Sequence, residues 1–352
     1  RLALDRKPTG RLAAHALTLQ VLCLARAGQW DELAGPLARL QKHVTPKLAV
    51  PAIHEAAELA YDAGRFKLAA ELFDKVVAAT AEPGRRASAL SGLAWCRYQM
   101  GQYAVAAELF ARVANEHKGQ PEAAEAAFMS GMAWEAAEQP GKAIEAYRSA
   151  LTGTGLGRYA FKAGLHLARL LARGQESAEA AVVYEKLTKD YPDSSQLDTV
   201  LNEWAWLCVA QRQEGRAREL FERLIRECPN SKLVPAATLS LCEGLFVEGK
   251  YEEVLSRLEP LLARPDLGPQ LHEAVLYRLG RTAAELGQWD KARNMFQRLI
   301  SEHGRSRFRA EAEFWLAEAD RQQGEPVKAA ERLRKLLEDE PPAEPWLPLA
   351  WL

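Results

Sequence analysis

The feature that most constrains the fold is an internal repeat with a period of about 37 residues. The segments GRFKLAAELF at residue 64, GQYAVAAELF at residue 101 and GQWDKARNMF at residue 287 are alike, and weaker copies fill the intervals between them. Each copy starts at a position that we interpret as the turn between two helices. The nine turn positions are 28, 64, 101, 138, 175, 212, 249, 287 and 324. So steady a period predicts a repeat architecture in which each unit packs on its neighbours.

Three columns of the repeat predict how its second helix packs. Five residues after each turn the side chain is usually small, nine residues after it is large, and twelve residues after it is again aliphatic. These spacings place all three on one face of a helix. The large column contains Leu37, Phe73, Phe110, Tyr147, Tyr184, Phe221, Leu258, Phe296 and Leu333.

The turns and linkers carry their own signals. Glycine occupies six of the nine turn positions, which suits a helix end that requires positive φ. An aromatic residue often follows two positions later, and where it is absent we expect a differently built turn. These exceptions have Pro140, Ser177, Glu214 and Pro326 in that slot.

Proline or glycine ends many second helices, as at Pro192 and Pro229, and a serine follows in three linkers. Ser194, Ser231 and Ser306 are predicted to cap the helices that follow.

These residues resemble the tetratricopeptide repeat family. The small–large–small columns and the turn glycine match its pattern, although the usual unit of 34 residues is about three residues shorter. The longer form is similar to repeats of bacterial cell-envelope proteins, including outer-membrane-assembly and Tol-associated lipoproteins. The resemblance implies an all-α fold, an α-solenoid with a right-handed superhelix built from about nine helix–turn–helix repeats.

The repeat register divides the chain into three parts. Residues 1–10 are expected to be the tail of a preceding repeat, and residues 11–340 form the array. Residues 341–352 would begin a further, truncated repeat or form a C-terminal cap. Both ends therefore predict a fragment of a longer array. The apolar tail with Trp346 and Trp351 also allows self-association through open ends.

The resemblance implies a binding surface on the first helices, which line the concave groove in this family. Residues six and ten positions before each turn would face the groove, where aromatic, Met and charged side chains suit a peptide ligand. The alternative is that these side chains pack against a neighbouring repeat. The candidate residues are Trp95, Tyr98, Phe128, Met132, Arg169, Asn202, Trp206, Glu243, Tyr277 and Arg281.

No pattern in the sequence predicts catalysis, a cofactor or a metal. The seven histidines are scattered and form neither an HExxH motif nor a Cys/His set with metal-binding spacing. His54 is expected on the surface or in the groove. The cluster GTGLG at 153–157 lacks the lysine and hydroxyl of a phosphate loop and is interpreted as a linker. We therefore expect a protein that is not an enzyme.

Charge and cysteine content restrict the partners. The 46 basic and 47 acidic residues give a net charge of −1, so the sequence predicts no general attraction to nucleic acid. No stretch of the sequence has the apolar length of a transmembrane helix. Five cysteines at irregular spacing do not predict a disulfide framework, and Cys96, Cys208 and Cys242 are expected to be buried thiols. The odd number favours the cytoplasm, whereas the repeat type favours the periplasm, so the compartment stays open.

Three functions are consistent with these observations. The leading hypothesis is an interaction scaffold that holds a peptide or protein segment. The second is a non-catalytic helical part of a larger enzyme or envelope protein, and the third is a self-assembling structural spacer.

Overall fold

The secondary structure is helical throughout the part of the chain that the computed structural model describes, residues 11–118, 122–152 and 157–339. Eighteen α-helices alternate with short turns, and no strand occurs in these ranges. This confirms the predicted all-α solenoid. The handedness of its superhelix stays a prediction.

The helices form antiparallel pairs, with odd-numbered first helices and even-numbered second helices. Helices α1–α10 belong to one compact unit, Arg1–Asp190 (unit 1), and α11–α18 belong to another, Tyr191–Leu352 (unit 2). Three short 3-10 segments lie at Trp30–Glu32, Gly157–Tyr159 and Glu259–Ala263. The helices are α1 Arg11–Arg26, α2 Ala34–His43, α3 Pro46–Asp62, α4 Phe66–Ala79, α5 Pro83–Gln99, α6 Tyr103–Glu116, α7 Glu122–Ala136, α8 Pro140–Thr152, α9 Ala160–Arg173, α10 Ser177–Asp190, α11 Leu197–Ala210, α12 Glu214–Glu227, α13 Val234–Val247, α14 Tyr251–Leu258, α15 Pro269–Glu285, α16 Trp289–Glu302, α17 Arg309–Gln322 and α18 Pro326–Asp339.

Positive φ marks the turn inside every helix pair. All six turn glycines have φ between 69° and 81°, and the non-glycine turn residues Glu138, Gln175 and Arg212 have φ of 56°, 64° and 57°. These nine residues are the turn positions of the sequence repeat.

The prediction that turns without the following aromatic residue are built differently was wrong. At Gly101 the next amide, of Gln102, donates to the carbonyl of Arg97 at 2.9 Å. At Arg212 the next amide, of Gln213, donates to the carbonyl of Cys208, also at 2.9 Å. Both are the six-to-one bond of a helix C-cap, which the backbone forms without help from the aromatic slot. A non-glycine residue adopts this conformation at a cost of about 1–2 kcal/mol.

The linker serines do not cap helices directly, contrary to prediction. Helix α11 begins at Leu197, and the amide of Gln196 donates to Ser194 Oγ at 3.2 Å. Ser231 and Ser306 accept the corresponding bonds from Leu233 and Phe308. Each serine therefore stabilises a tight turn just before its helix, since its hydroxyl accepts from the amide two residues on and not from an amide of the helix itself. The breakers act as predicted, because α10 and α12 end before Pro192 and Pro229.

The three apolar columns of the second helices form the core between helices. The large residues of repeats one to eight are almost completely buried, as is the small column. In the last described repeat Leu333 is 36% exposed, since no described helix covers α18. Several of the large second-helix side chains pack directly against a glycine of a first helix. A Cβ atom on Gly131 would lie 2.3 Å from the Tyr147 ring, and one on Gly280 would lie 2.7 Å from Phe296.

The buried thiols are as predicted. Cys96, Cys208 and Cys242 are buried and unbridged. Burial raises the pKa of both Cys96 and Cys242 to about 12, so these sulfurs are protonated and unreactive at neutral pH.

Several predicted features lie outside the described residues. These are the tail at 1–10, most of the glycine cluster at 153–157 and the C-terminal segment 341–352 with its two tryptophans. None of the described helices has both the length and the apolar character needed to cross a membrane.

Candidate functional site

The predicted binding surface, here called the first-helix face, is carried by the odd-numbered helices. Within unit 1 the first helices α1, α3, α5, α7 and α9 contact one another in succession, and within unit 2 α13, α15 and α17 do so. Among the described helices these contacts are closer than those between successive second helices. The first helices therefore lie on the inner side of each stack, and their side chains converge there.

In unit 1 the face begins with an aromatic group on α5. Trp95 and Tyr98 lie one turn apart with ring centroids separated by 5.8 Å, and both are partly exposed. Trp95 also rests edge-on against the buried Phe110, at 5.4 Å. Tyr98 meets Tyr103, the aromatic residue after the turn, at 5.1 Å. These contacts hold the two candidate side chains in place while leaving part of each ring accessible.

Phe128 is not a surface anchor, contrary to its place among the candidates. It is only 8% exposed, because the Tyr159 ring stacks on it at 5.7 Å and His166 packs edge-on at the same distance. Met132, one turn further along α7, and Arg169 on α9 are partly exposed. Of these three candidates only Met132 and Arg169 contribute accessible surface.

A hydrogen-bond network that the sequence did not indicate lies beside them. Glu135 Oε1 accepts a bond from Tyr147 Oη at 2.6 Å and lies 2.9 Å from His166 Nδ1. Burial alone would raise the pKa of Glu135, but the bonds from His166 and Tyr147 outweigh it, and the pKa is lowered. The carboxylate is therefore held in its charged form between two repeats.

His54 differs from its expected placement. It lies on α3, ten residues before a turn, but is buried against the Phe73 ring, 3.5 Å from Ser88 Oγ. Burial lowers its pKa, so the neutral imidazole belongs to the core.

In unit 2 the most exposed candidate is Trp206. Its side chain is 49% exposed on α11 and rests edge-on against Phe221, with centroids 5.7 Å apart. Val209, on the next turn, is also exposed, and the candidate Asn202 lies one turn earlier and is partly exposed. The helix thus presents a contiguous apolar strip flanked by an amide.

Further along unit 2 the face is built from alternating charge and aromatic rings. Glu243 on α13 forms a bidentate ion pair with Arg278 on α15, in which Arg278 Nε lies 2.8 Å from Glu243 Oε1. The Arg278 guanidinium lies over the Phe246 ring at 4.4 Å. Arg281 lies 5.7 Å from the same ring and 4.4 Å from Trp315 on α17.

Phe246, Arg278 and Trp315 were missed as members of the face. They lie three or nine positions before their turns. Because residues three apart share a helix face, extending the stripe by one turn from the sixth position would have found them.

Tyr277 is buried, not accessible, which also corrects its candidate role. The Phe308 ring stacks on Tyr277 with centroids 4.4 Å apart and ring planes 9° apart. The Tyr277 hydroxyl donates to Glu311. Burial, followed by the bond to Glu311, raises the pKa of Tyr277 to about 12. This residue joins α15 to the linker before α17.

A group with metal-binding donors lies away from this face. His272 in the first turn of α15 meets Glu302 and His303 at the end of α16, and their donor atoms all lie within 4.8 Å of one another. Sequence patterns do not reveal this group, because 30 or more residues separate its two parts.

Family models identify the same repeat that the sequence pattern predicts. Two models of the tetratricopeptide repeat match the chain, one at residues 54–116, 97–157 and 277–345 and the other at residues 162–194. Together they cover more than half of the sequence. None of the curated proteins compared with the chain matches it.

Solved structures of helical repeat proteins are similar to parts of the chain. A tetratricopeptide repeat protein from Parabacteroides merdae ATCC 43184 shares 13% identity at a TM-score of 0.42, covering 82% of this chain and 98% of that one. YrrB, a TPR protein with an unusual peptide-binding site, shares 16% identity at a TM-score of 0.40, and the match covers 53% of this chain and 90% of that one. PilW, a type IV pilus biogenesis factor, shares 18% identity at a TM-score of 0.42, and the match covers 63% of this chain and 95% of that one.

Proposed function

Because the chain belongs to the tetratricopeptide repeat family, we propose that it is a non-catalytic interaction scaffold that binds a peptide or protein segment along its first-helix face. The family supplies the general role, since such repeats form extended surfaces for other proteins. The binding mode and the residues are our inference from the side chains on this face.

The observation that carries the proposal is the half-exposed indole of Trp206. An exposed tryptophan fixed against a buried ring presents a large, rigid apolar surface with little entropy left to lose. Phe314 on α17 is also exposed, at 43%, and Arg281 lies on the same face of unit 2. Tryptophan and arginine are the residue types that most often dominate binding energy at interfaces.

The charges of the face suggest the character of the ligand. Glu243 and Glu318 alternate with Arg278 and Arg281, and all four are engaged in ion pairs on the protein itself. We therefore expect a peptide that binds mainly through apolar side chains, with polar contacts at the rim.

The test is selection of peptides from a random display library on the immobilised chain, followed by affinity measurement with fluorescence anisotropy. Replacement Trp206→Ala is expected to weaken the selected peptides about thirtyfold, the effect of a hot spot of about 2 kcal/mol. Trp95→Ala reports separately on unit 1. The matched control is Val182→Ala, which removes an exposed apolar side chain from second helix α10.

Circular dichroism must show that each variant remains helical. Failure to select any saturable peptide would argue against the scaffold role itself. Equal affinities for Trp206→Ala, Trp95→Ala and Val182→Ala would instead place the ligand on another surface and remove the first-helix face from the proposal.

A further inference from the structure

The open end of one helix pair brings two imidazoles into direct contact. Helices α15 and α16 are joined by the turn at Gly287, and His272 and His303 lie at the opposite end of this pair. His272 Nδ1 is 2.8 Å from His303 Nε2, and the His272 side chain is only 18% exposed. Two ring nitrogens this close either share one proton or can share a metal ion.

A carboxylate completes the group. Glu302 Oε2 is 3.8 Å from His272 Nδ1, the nitrogen that also faces the second imidazole. Zinc binds imidazole nitrogen and carboxylate oxygen at about 2.0–2.2 Å, so donors of one ion lie roughly 3–4 Å apart. The separations of 2.8 Å and 3.8 Å from His272 Nδ1 lie close to this spacing, and the donor atoms of all three side chains lie within 4.8 Å of one another.

The carboxylate is already oriented by a neighbour. Arg298, one turn earlier on α16, donates from Nε to Glu302 Oε1 at 2.9 Å, which leaves Oε2 directed at the imidazole. Metal-binding carboxylates are commonly held by hydrogen bonds of this kind from a second layer of residues. The positive charge of Arg298 weakens the attraction for a cation, but its bond fixes the ligand geometry.

The histidine pair is specific to this repeat. His272 lies fifteen positions before its turn and His303 lies sixteen positions after it. In the other repeats the position fifteen residues before the turn holds mainly apolar residues, including Ala49, Ala123, Ala160, Leu197 and Val234. His117 has the same position as His303, but the partner column of its repeat holds Arg86. The general packing of the hairpin therefore does not require two histidines here.

We propose that His272, Glu302 and His303 bind one Zn²⁺ ion, or a divalent transition-metal ion of similar preference, with water as the fourth ligand. Such an ion ties the first turn of α15 to the end of α16, closing the hairpin opposite its Gly287 turn. It also fixes the linker that leads into α17. The site thereby stabilises the last repeats of unit 2 in a metal-dependent way, separately from any peptide bound to the first-helix face.

The test is a titration of the purified chain, free of a polyhistidine tag and carrying Cys23→Ser to remove an exposed thiol, with ZnCl₂ by isothermal calorimetry. The expected result is one Zn²⁺ per chain. His272→Gln and His303→Gln are each expected to weaken binding by more than about tenfold, since even outer-layer partners contribute 10- to 100-fold. The matched control is His43→Gln, an exposed histidine on α2.

A measurement without substitutions keeps the test decisive if a variant fails to fold. Zn²⁺ should raise the thermal unfolding midpoint of the chain relative to EDTA, and Mg²⁺ should not, because Mg²⁺ prefers oxygen ligands. Absence of Zn²⁺ binding, or equal binding by His303→Gln and His43→Gln, would show that the imidazoles are joined by a hydrogen bond alone and would overturn the proposal.

Discussion

The first-helix faces of the two units connect neighbouring repeats at the same positions but with different chemistry. In unit 1 Glu135, three residues before its turn, meets His166, nine residues before the next. In unit 2 the same two positions hold Phe246 and Arg278, which form a cation–π contact. Helix geometry thus decides which positions meet, and the side chains decide what kind of contact results.

The carboxylates that pair with a neighbouring repeat, Glu135 in unit 1 and Glu243 in unit 2, differ in exposure. Glu135 is 25% exposed and accepts a bond from the fully buried Tyr147, so its network is part-buried in unit 1. Glu243 of unit 2 is 42% exposed, and its ion pair with Arg278 borders solvent. The difference in exposure predicts that neutralising the carboxylate will cost more in unit 1 than in unit 2.

The largest difference is expected between two glycines at different positions of the repeat, seven residues before the turn for Gly131 and five for Gly244. Gly131→Ala in unit 1 forces a methyl group into the Tyr147 ring and should destabilise the protein by about 1–3 kcal/mol. Gly244→Ala on α13 meets no atom within 4 Å and should stabilise it by about 0.5–1 kcal/mol through helix propensity. Urea unfolding followed by circular dichroism gives both values. Shifts of the same sign would contradict the difference in packing between these two positions.

An intermediate effect is expected at the two carboxylates. Glu135→Gln removes a charged acceptor from a part-buried network and should cost about 1–2 kcal/mol at pH 7. Glu243→Gln breaks a pair at the solvent boundary and should cost about 0–1 kcal/mol.

The pH dependence provides a sharper test of Glu135. Its pKa is lowered in the folded state, so the unfolded chain binds more protons as pH falls below about 4.3, the ordinary glutamate value. The stabilisation is therefore fully present above that pH and is lost as pH falls through the folded pKa. The difference in unfolding free energy between wild type and Glu135→Gln should shrink over this range. A difference that stays constant would mean that the charge of Glu135 is not what stabilises the network.

The sequence was sufficient to predict the repeat, its core columns and its turn positions, because these depend on local backbone hydrogen bonds and helix periodicity. It was not sufficient for individual members of the face. Phe128 and Phe314 both lie ten positions before a turn, yet the first is 8% and the second 43% exposed. The difference arises from Tyr159, which stacks on Phe128 from a linker that the repeat pattern does not constrain. The histidine pair escaped detection for a related reason, since its two columns meet only when the hairpin register is known.

A small effect is expected at the guanidinium of Arg281, which lies between Phe246 and Trp315. Arg281→Met keeps the aliphatic stem but removes the charge, and should destabilise unit 2 by about 0.5–1 kcal/mol, the usual size of a cation–π contact. A double-mutant cycle with Trp315→Leu isolates the contact from the loss of the ion pair with Glu285. Arg321→Met serves as the control, because Arg321 is exposed and pairs with Glu318 on its own helix; no measurable change is expected there. Zero coupling between Arg281 and Trp315 would mean that this guanidinium does not join α15 to α17. Arg281 would then be free to contact a ligand, and Arg281→Met should weaken a selected peptide while leaving the unfolding midpoint unchanged.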